Sequence, residues 1–327
     1  MISVLLPAYN AEATIRQAIT SLERQTFEEF EIIAVDDGSS DETGTILDQM
    51  SDPRLRAVHI PHSGLIPALN AGLSECQGDL IARMDADDVC HPERLRLQSE
   101  FMTAHPEVSV CGCLVRSFPR SCVKAGFLKY ESWLNSLVAH EEIARDIFVE
   151  SPLAHPSVMM RMDDLRALGG YREMGWPEDY DLWLRFFMAG KRFAKVPKTL
   201  LFWRESEHRL TFTDSRYSVE NFLRLKAHFL AKLTTRPVIV WGAGMMGRRL
   251  IKHLVRERIR PIAVIDTDPK KIGHHTRGIP IVLPAELVNH PDAFVISAVG
   301  SEVARDAIRG HLIGTGRHEK TDFVCAA

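Results

Sequence analysis

A chain of 327 residues, 45% hydrophobic and 25% charged, is long enough for two domains and too apolar to be disordered. Its 40 Lys and Arg against 43 Asp and Glu give a formal net charge of −3, so no basic excess marks a nucleic-acid or anionic-membrane scaffold. No apolar run approaches the roughly 20 residues of a membrane-spanning helix.

The first residues, 1–7, enter an apolar strand without a basic leader segment, which predicts a cytosolic protein. Apolar runs at 2–6, 31–35 and 80–84 predict strands, each followed by turn or acidic residues. Segment 11–24 carries apolar residues at 15, 18, 19 and 22, one face of a helix, and 43–50 and 66–75 also read as helices. After the third strand, 91–105 predicts a helix with Pro92 in its first turn. This alternation implies an α/β fold: a mostly parallel central sheet flanked by helices, with ligands outside the carboxyl ends of the strands.

Residues 114–177 are less regular. The six cysteines include no C-x-x-C pair, which argues against zinc and structural disulfides, and Cys111-Gly112-Cys113 reads as strand packing. Helices are predicted at 179–189 and 215–233, and 234–237 looks like a linker. A second unit begins at 238, with strands at 238–241, 262–265, 279–283, 294–297 and 322–325. Its helices are expected at 245–257, near 284–290 and at 301–313. The expected domains are 1–215, a helical linker 216–236, and a smaller α/β domain 237–327.

The acidic segments carry the chemistry. Asp85, Asp87 and Asp88 at one strand end repel one another unless a cation sits among them. Their hard oxygens suit Mg²⁺ or Mn²⁺ shared with a phosphate, the alternative being a solvated acidic turn. Asp37 could accept the imide N–H of a base such as uracil, while its neighbours cap the next helix. Tyr9, in the turn Pro7-Ala8-Tyr9-Asn10, could stack on a flat ring. Glu178 and Asp179 open a helix, where the macrodipole favours acids; a carboxylate there could also take a proton from an incoming hydroxyl.

Taken in order and spacing, Pro7-Ala8-Tyr9-Asn10, Val35-Asp36-Asp37-Gly38-Ser39, Asp85-Ala86-Asp87-Asp88 and Glu178-Asp179 resemble the inverting family 2 glycosyltransferases. The likeness extends to segments 21–27, 68–73 and 82–84 and to Gly169-Gly170-Tyr171-Arg172, covering roughly residues 1–215. It implies a GT-A fold, a nucleotide-diphosphate sugar donor and a divalent metal, Mn²⁺ or Mg²⁺. Pro7 and Tyr9 would line the base pocket, Asp37 would bind the base, and Asp85 would contact the donor ribose or sugar. Asp87 would hold the metal with help from Asp88. Asp179 would be the catalytic base, with Glu178 orienting it or touching the acceptor.

The resemblance further offers His208 as a metal ligand and Arg204 and Arg209 as phosphate partners, against a merely charged loop. It also offers Arg83 and Asn70 as donor contacts. His155 reads either as an acceptor contact or as a packed histidine. The chain lacks the Gln-x-x-Arg-Trp stretch of processive synthases, which favours a single addition. The resemblance implies a glycan or lipid-linked acceptor in surface-polysaccharide or lipopolysaccharide assembly, with UDP the expected nucleotide. Peripheral association with the inner membrane face would follow from a lipid-linked acceptor.

In the second unit, Gly242-Ala243-Gly244-Met245-Met246-Gly247 follows a strand and opens a helix, and Asp266 lies 19 residues beyond Gly247. This pattern predicts a Rossmann-like domain with a second nucleotide site at Gly242, Gly244, Gly247 and Asp266, or else a unit for self-association or scaffolding. An NAD-dependent oxidoreductase would explain the glycines but leaves the acidic set unexplained. A non-catalytic nucleotide-sugar binder would need no base at Asp179.

Overall fold

The computed structural model describes residues 1–207 and 209–327. The chain divides into two compact units. The first comprises 1–143, 152–174 and 178–213, and the second 144–151, 175–177 and 214–327.

The chain begins β1 (Ile2–Ala8), α1 (Ile15–Glu23), β2 (Phe30–Asp36), α2 (Thr43–Asp48), β3 (Leu55–His59), α3 (Leu65–Glu75), β4 (Leu80–Arg83), β5 (Val89–Cys90) and α4 (Arg94–Ala104). It continues through β6 (Val108–Phe118), α5 (Ala125–Ser136), α6 (His140–Asp146), β7 (Met159–Arg161), α7 (Met162–Ala167), α8 (Glu178–Met188), β8 (Arg192–Arg204) and α9 (Leu210–Thr213). The eight strands form one mixed sheet in the order β3-β2-β1-β4-β7-β6-β8-β5. Strands β3, β2, β1 and β4 run parallel, as does β6 with β8, whereas β7 and β5 pair antiparallel with their neighbours.

Burial explains these elements. Every residue of β1 is buried, as expected of a central parallel strand covered on both faces. Helix α1 buries Ile15, Ala18, Ile19 and Leu22, its apolar stripe, against the sheet core. Cys111 and Cys113 are buried in β6. Strand β3 was not anticipated: it is an edge strand of half-buried and exposed residues, without a long apolar run.

The second unit holds α10 (Val219–Leu233), β9 (Val238–Trp241), α11 (Met245–Arg256), β10 (Ala263–Ile265), β11 (His275–Thr276), β12 (Ile279–Val282), β13 (Phe294–Ser297), α12 (Glu302–Gly314) and β14 (Phe323–Cys325). Helix α10, in the segment read from sequence as linker, lies within this unit, where Glu220 bonds His253 and Lys252 of α11 at 2.8 and 3.0 Å. The sheet order is β11-β12-β10-β9-β13-β14, all parallel except the short β11. Among the described residues, no helix is long and apolar enough to cross a membrane.

One buried group gives the first unit a pH-dependent stability. Lys195 of β8 is 1% exposed and its ammonium nitrogen reaches the Leu134 carbonyl. Burial lowers its pKa from 10.5 to about 7. The unfolded chain therefore keeps this proton to higher pH than the folded chain, so stability rises with pH between those values, by at most about 1.4 kcal/mol per pH unit. Below pH 7 the contribution is lost and flat. Denaturant unfolding at pH 7 and 9 should show this gain in the wild type and a much smaller one in Lys195→Met, a swap that keeps side-chain volume.

Candidate active site

Strands β1, β2 and β4 deliver the aromatic and acidic segments to the carboxyl edge of the sheet. After β1, Asn10 adopts a left-handed backbone (φ 48°), which Asn tolerates better than most residues. Its side-chain oxygen accepts the Ser40 N–H and its own N–H donates to Ser39 Oγ, both at 2.9 Å. These bonds tie the turn after β1 to the loop after β2. Pro7 is buried in β1, whereas Tyr9 is 47% exposed. The buried Asp37 carboxylate accepts the N–H groups of Ser63 and Gly64 at 2.8 and 2.9 Å. His62 lies 2.9 Å from that carboxylate and stacks on Tyr9, ring centroids 4.1 Å apart. Sequence reasoning missed His62 because it follows the unanticipated β3.

The second acidic group follows β4. Carboxylate oxygens of Asp85, Asp87 and Asp88 lie within 4.8 Å of one another. Antiparallel pairing of β5 with β8 brings Arg204 here: its main-chain N–H donates to Asp88 Oδ1 at 2.7 Å and its Nε to the Asp87 carbonyl at 2.6 Å. Burial, then the Asp85 carboxylate, pushes the Asp87 carboxyl up to about 6. Burial and the two neighbouring carboxylates hold Asp88 well above the usual range. Asp88 Oδ2 is buried with no hydrogen-bond partner among the described residues. Three hard donors too close to ionise together, one with an orphaned oxygen, fit a divalent cation such as Mg²⁺ or Mn²⁺.

The basic residues are less free than their sequence positions suggest. Arg204 also donates to Gln17 Oε1 at 2.5 Å and lies over the Phe118 ring. Arg209 pairs with Glu205 at 2.9 Å and packs over Trp203 and Phe127. Both still lower the Asp87 pKa, so their charge is felt at the cluster. His208, expected as a metal ligand, lies outside the described residues.

Helix α8 opens with Glu178 buried and Asp179 half-buried, a terminus whose dipole favours negative charge. Asp179 Oδ1 accepts the Tyr180 N–H at 2.7 Å. Upstream, Gly170 has φ +63°, and a Cβ there would come within 2.9 Å of Asn70 Oδ1. That close approach lets the Asn70 amide clamp Tyr171: Nδ2 donates to the Tyr171 carbonyl at 2.9 Å, and the Tyr171 N–H donates to Oδ1 at 3.1 Å. Asn70 therefore acts on this region through Tyr171. The Tyr171 hydroxyl is hydrogen-bonded to His155 Nε2 at 2.8 Å, and His155 Nδ1 is 3.9 Å from Glu178 Oε1.

Arg83 completes the network. Its side chain is 2% exposed and its Nη1 lies 2.6 Å from Asp85 Oδ1. Burial alone would lower its pKa, but Asp85, Tyr171 and Glu178 more than offset that, and the guanidinium is held charged. Burial, with Arg83 adding to it, pushes the His155 pKa well down, so this imidazole is neutral.

Residues 3–168 match the family model described as glycosyl transferase family 2. The chain belongs to that family. Residues 234–321 match a second model, described as C2185-like, N-terminal. The amylovoran biosynthesis glycosyltransferase AmsE of Erwinia amylovora is 34% identical over 206 residues, 62% of this chain and 75% of that protein. An Escherichia coli UDP-Gal:alpha-D-GlcNAc-diphosphoundecaprenol beta-1,3-galactosyltransferase is 27% identical over 214 residues, 63% of this chain and 74% of its own length. Among solved structures, S. aureus TarS 1-349 in complex with UDP-GlcNAc aligns with a TM-score of 0.58 at 19% identity, over 78% of this chain and 72% of that one. At that identity the likeness is one of fold, and it places this glycosyltransferase in the GT-A class.

In this glycosyltransferase, removing the buried cation should unbalance the acids around it. Replacing Arg83 by Met should lower stability by about 3 kcal/mol, the low end of the range for stripping one partner from a buried pair, because Asp85 remains a third exposed. Arg83→Lys, which keeps the charge, should recover part of the loss. Thermal unfolding of the two variants checks this; equal melting temperatures for wild type and Arg83→Met would refute it.

Proposed function

We propose that the first unit transfers a sugar from a nucleoside-diphosphate donor to an acceptor hydroxyl with inversion at the anomeric carbon. The observation that carries this reading is the cluster of Asp85, Asp87 and Asp88, orphaned oxygen included, electrostatically linked through Arg83 to Glu178 at the start of α8.

Asp87 and Asp88 would hold a Mg²⁺ or Mn²⁺ that, when bound, supplies positive charge against the diphosphate oxygens. Asp85, fixed by Arg83, would meet the donor ribose or sugar. Tyr9 offers an exposed ring on which a base extends the Tyr9–His62 stack, and Asp37 retains lone pairs for a base N–H. Asp179 takes the proton of the acceptor hydroxyl as that oxygen bonds the anomeric carbon. The bond from this carbon to the diphosphate oxygen breaks, its electron pair leaving with the nucleotide. Attack from the opposite face inverts the anomer, and no covalent enzyme intermediate forms.

A UDP-sugar is the donor we favour, because both the TarS complex and the E. coli galactosyltransferase carry UDP-linked donors in their descriptions. The latter's name also includes a diphosphoundecaprenol acceptor, and AmsE is named for amylovoran biosynthesis. On that basis we place this enzyme in surface-polysaccharide assembly on a lipid-linked acceptor, at the cytoplasmic face of the membrane.

Calorimetry and turnover separate the roles. Asp87→Ala should lose Mn²⁺-dependent UDP binding. Asp179→Asn should bind UDP as the wild type does while its kcat falls by about 10²–10⁴-fold, the usual worth of a general base. Undiminished turnover in Asp179→Asn would remove Asp179 from the mechanism.

A further inference from the structure

The second unit contains a cleft of about 620 Å³, within the range of small-molecule sites. It opens where the sheet reverses direction. From the central β9 the chain builds β10 and β12 on one side, then returns to lay β13 and β14 on the other. Parallel sheets bind ligands at such a switch point, outside the carboxyl ends of the strands.

Three kinds of wall meet there. Apolar surface comes from Met245, Val299, Ile308 and the edge of His311. Asp266, at the end of β10, contributes a carboxylate whose Oδ2 accepts the Ala243 N–H at 2.8 Å and Lys271 Nζ at 3.1 Å, and whose Oδ1 accepts the Asp268 N–H at 2.9 Å. Burial alone would raise its pKa, but these donors bring it below the usual value. It is an ionised acceptor with lone pairs left for hydroxyl groups. The third wall is the loop 242–244 leading into α11.

The glycines of that loop divide into two kinds. Gly242 has φ +122° and its Cβ would sit 3.0 Å from the Ala298 carbonyl; a Cβ on Gly247 would lie 1.8 Å from the Gly242 carbonyl. Packing alone requires both. Gly244 is different: its backbone suits any residue (φ −74°, ψ −172°) and a Cβ there would meet nothing within 4 Å. It occupies the N-cap of α11, which has no side-chain cap, as is also true of α1 to α5, and Gly serves there only slightly less well than the Ser that caps α10 and α12. Neither strain nor packing requires Gly244, which lines the cleft and leaves the space in front of α11 open to a ligand.

We infer that this cleft binds the ribose–pyrophosphate portion of a nucleotide, with the pyrophosphate before Gly244 and the α11 amides, a ribose hydroxyl on Asp266, and a ring against the apolar wall. Such a site needs no metal, because the main-chain N–H groups at the start of α11 supply the positive charge. That separates it from the acidic cluster of the first unit, whose reading it does not depend on.

The test is calorimetric titration of the full chain in EDTA with ADP, UDP and NAD⁺ in turn. One of the three should bind, and the one that does distinguishes a mononucleotide from a dinucleotide source. Binding should persist in Asp87→Ala. It should weaken by about tenfold or more in Gly244→Asp, which puts a carboxylate where the phosphate would lie. Because Asp is a good N-cap, this variant should melt no lower than the wild type, so lost binding would not report misfolding. Asp266→Asn provides a second variant and should also weaken binding. The inference is overturned if none of the three nucleotides binds in EDTA, or if Gly244→Asp binds as tightly as the wild type.

Discussion

A guanidinium cannot shed its proton under ordinary conditions, so burying Arg83 commits the fold to placing acids around it. That single constraint organises the first unit's site. Asp85 answers it two residues further along the chain at 2.6 Å, and Glu178 answers it from α8, a segment almost a hundred residues distant. Burial, with the same positive charge adding to it, keeps His155 neutral, so that its ring can join the Tyr171 hydroxyl without adding a second buried cation. The main chain is fixed as firmly: the Arg83 N–H donates to the Val158 carbonyl at 2.9 Å, and the Arg83 carbonyl accepts from Arg94 Nη2 at 2.7 Å.

The neighbouring acids are in the opposite position. Arg83 offsets Asp85, and Arg204 satisfies one oxygen of Asp88 through its main chain, but burial still drives Asp87 and Asp88 toward their protonated forms. Gathering three carboxylates and leaving one buried oxygen without a donor among the described residues costs stability. A charged Arg83 and, four and five residues later, two carboxyls that burial pushes up lie close together, and such perturbed groups cluster at functional sites.

Much of this was legible in the sequence, for definite reasons. Buried strands such as β1 and helices with a clean apolar stripe such as α1 announce themselves by period, and the acids at the ends of β2 and β4 follow from the alternation. Partners separated in sequence were not legible. Nothing local says that the Asn70 amide clamps the Tyr171 main chain, or that Arg204 spends its Nε on the Asp87 carbonyl. Edge strand β3 hid because only one flank of it is paired, and with it went His62. Strand β8 is irregular: its register against β6 slips near Cys113 and Leu114, and it buries Lys195. Sequence periodicity reports burial, whereas these features are set by long-range hydrogen bonding.

The two units also differ in how each could hold a diphosphate. In the first, the sheet edge presents carboxylates, so an anion can approach only with a cation interposed, and affinity would follow metal supply. In the second, the N-terminus of α11, without a side-chain cap, presents main-chain amides whose partial charge is permanent. The first arrangement suits a group that must leave, because charge on the departing diphosphate is matched by a concentrated positive charge. The second suits a ligand that stays bound, held by many weak dipoles with no reacting bond nearby. The acids that would perform chemistry, Asp87 and Asp179, are in the first unit, and the cleft of the second offers Asp266, already tied to Lys271 and two main-chain amides. A carboxylate so restrained is a poor proton acceptor and a good hydroxyl anchor, which suits the second cleft to recognition rather than to proton transfer.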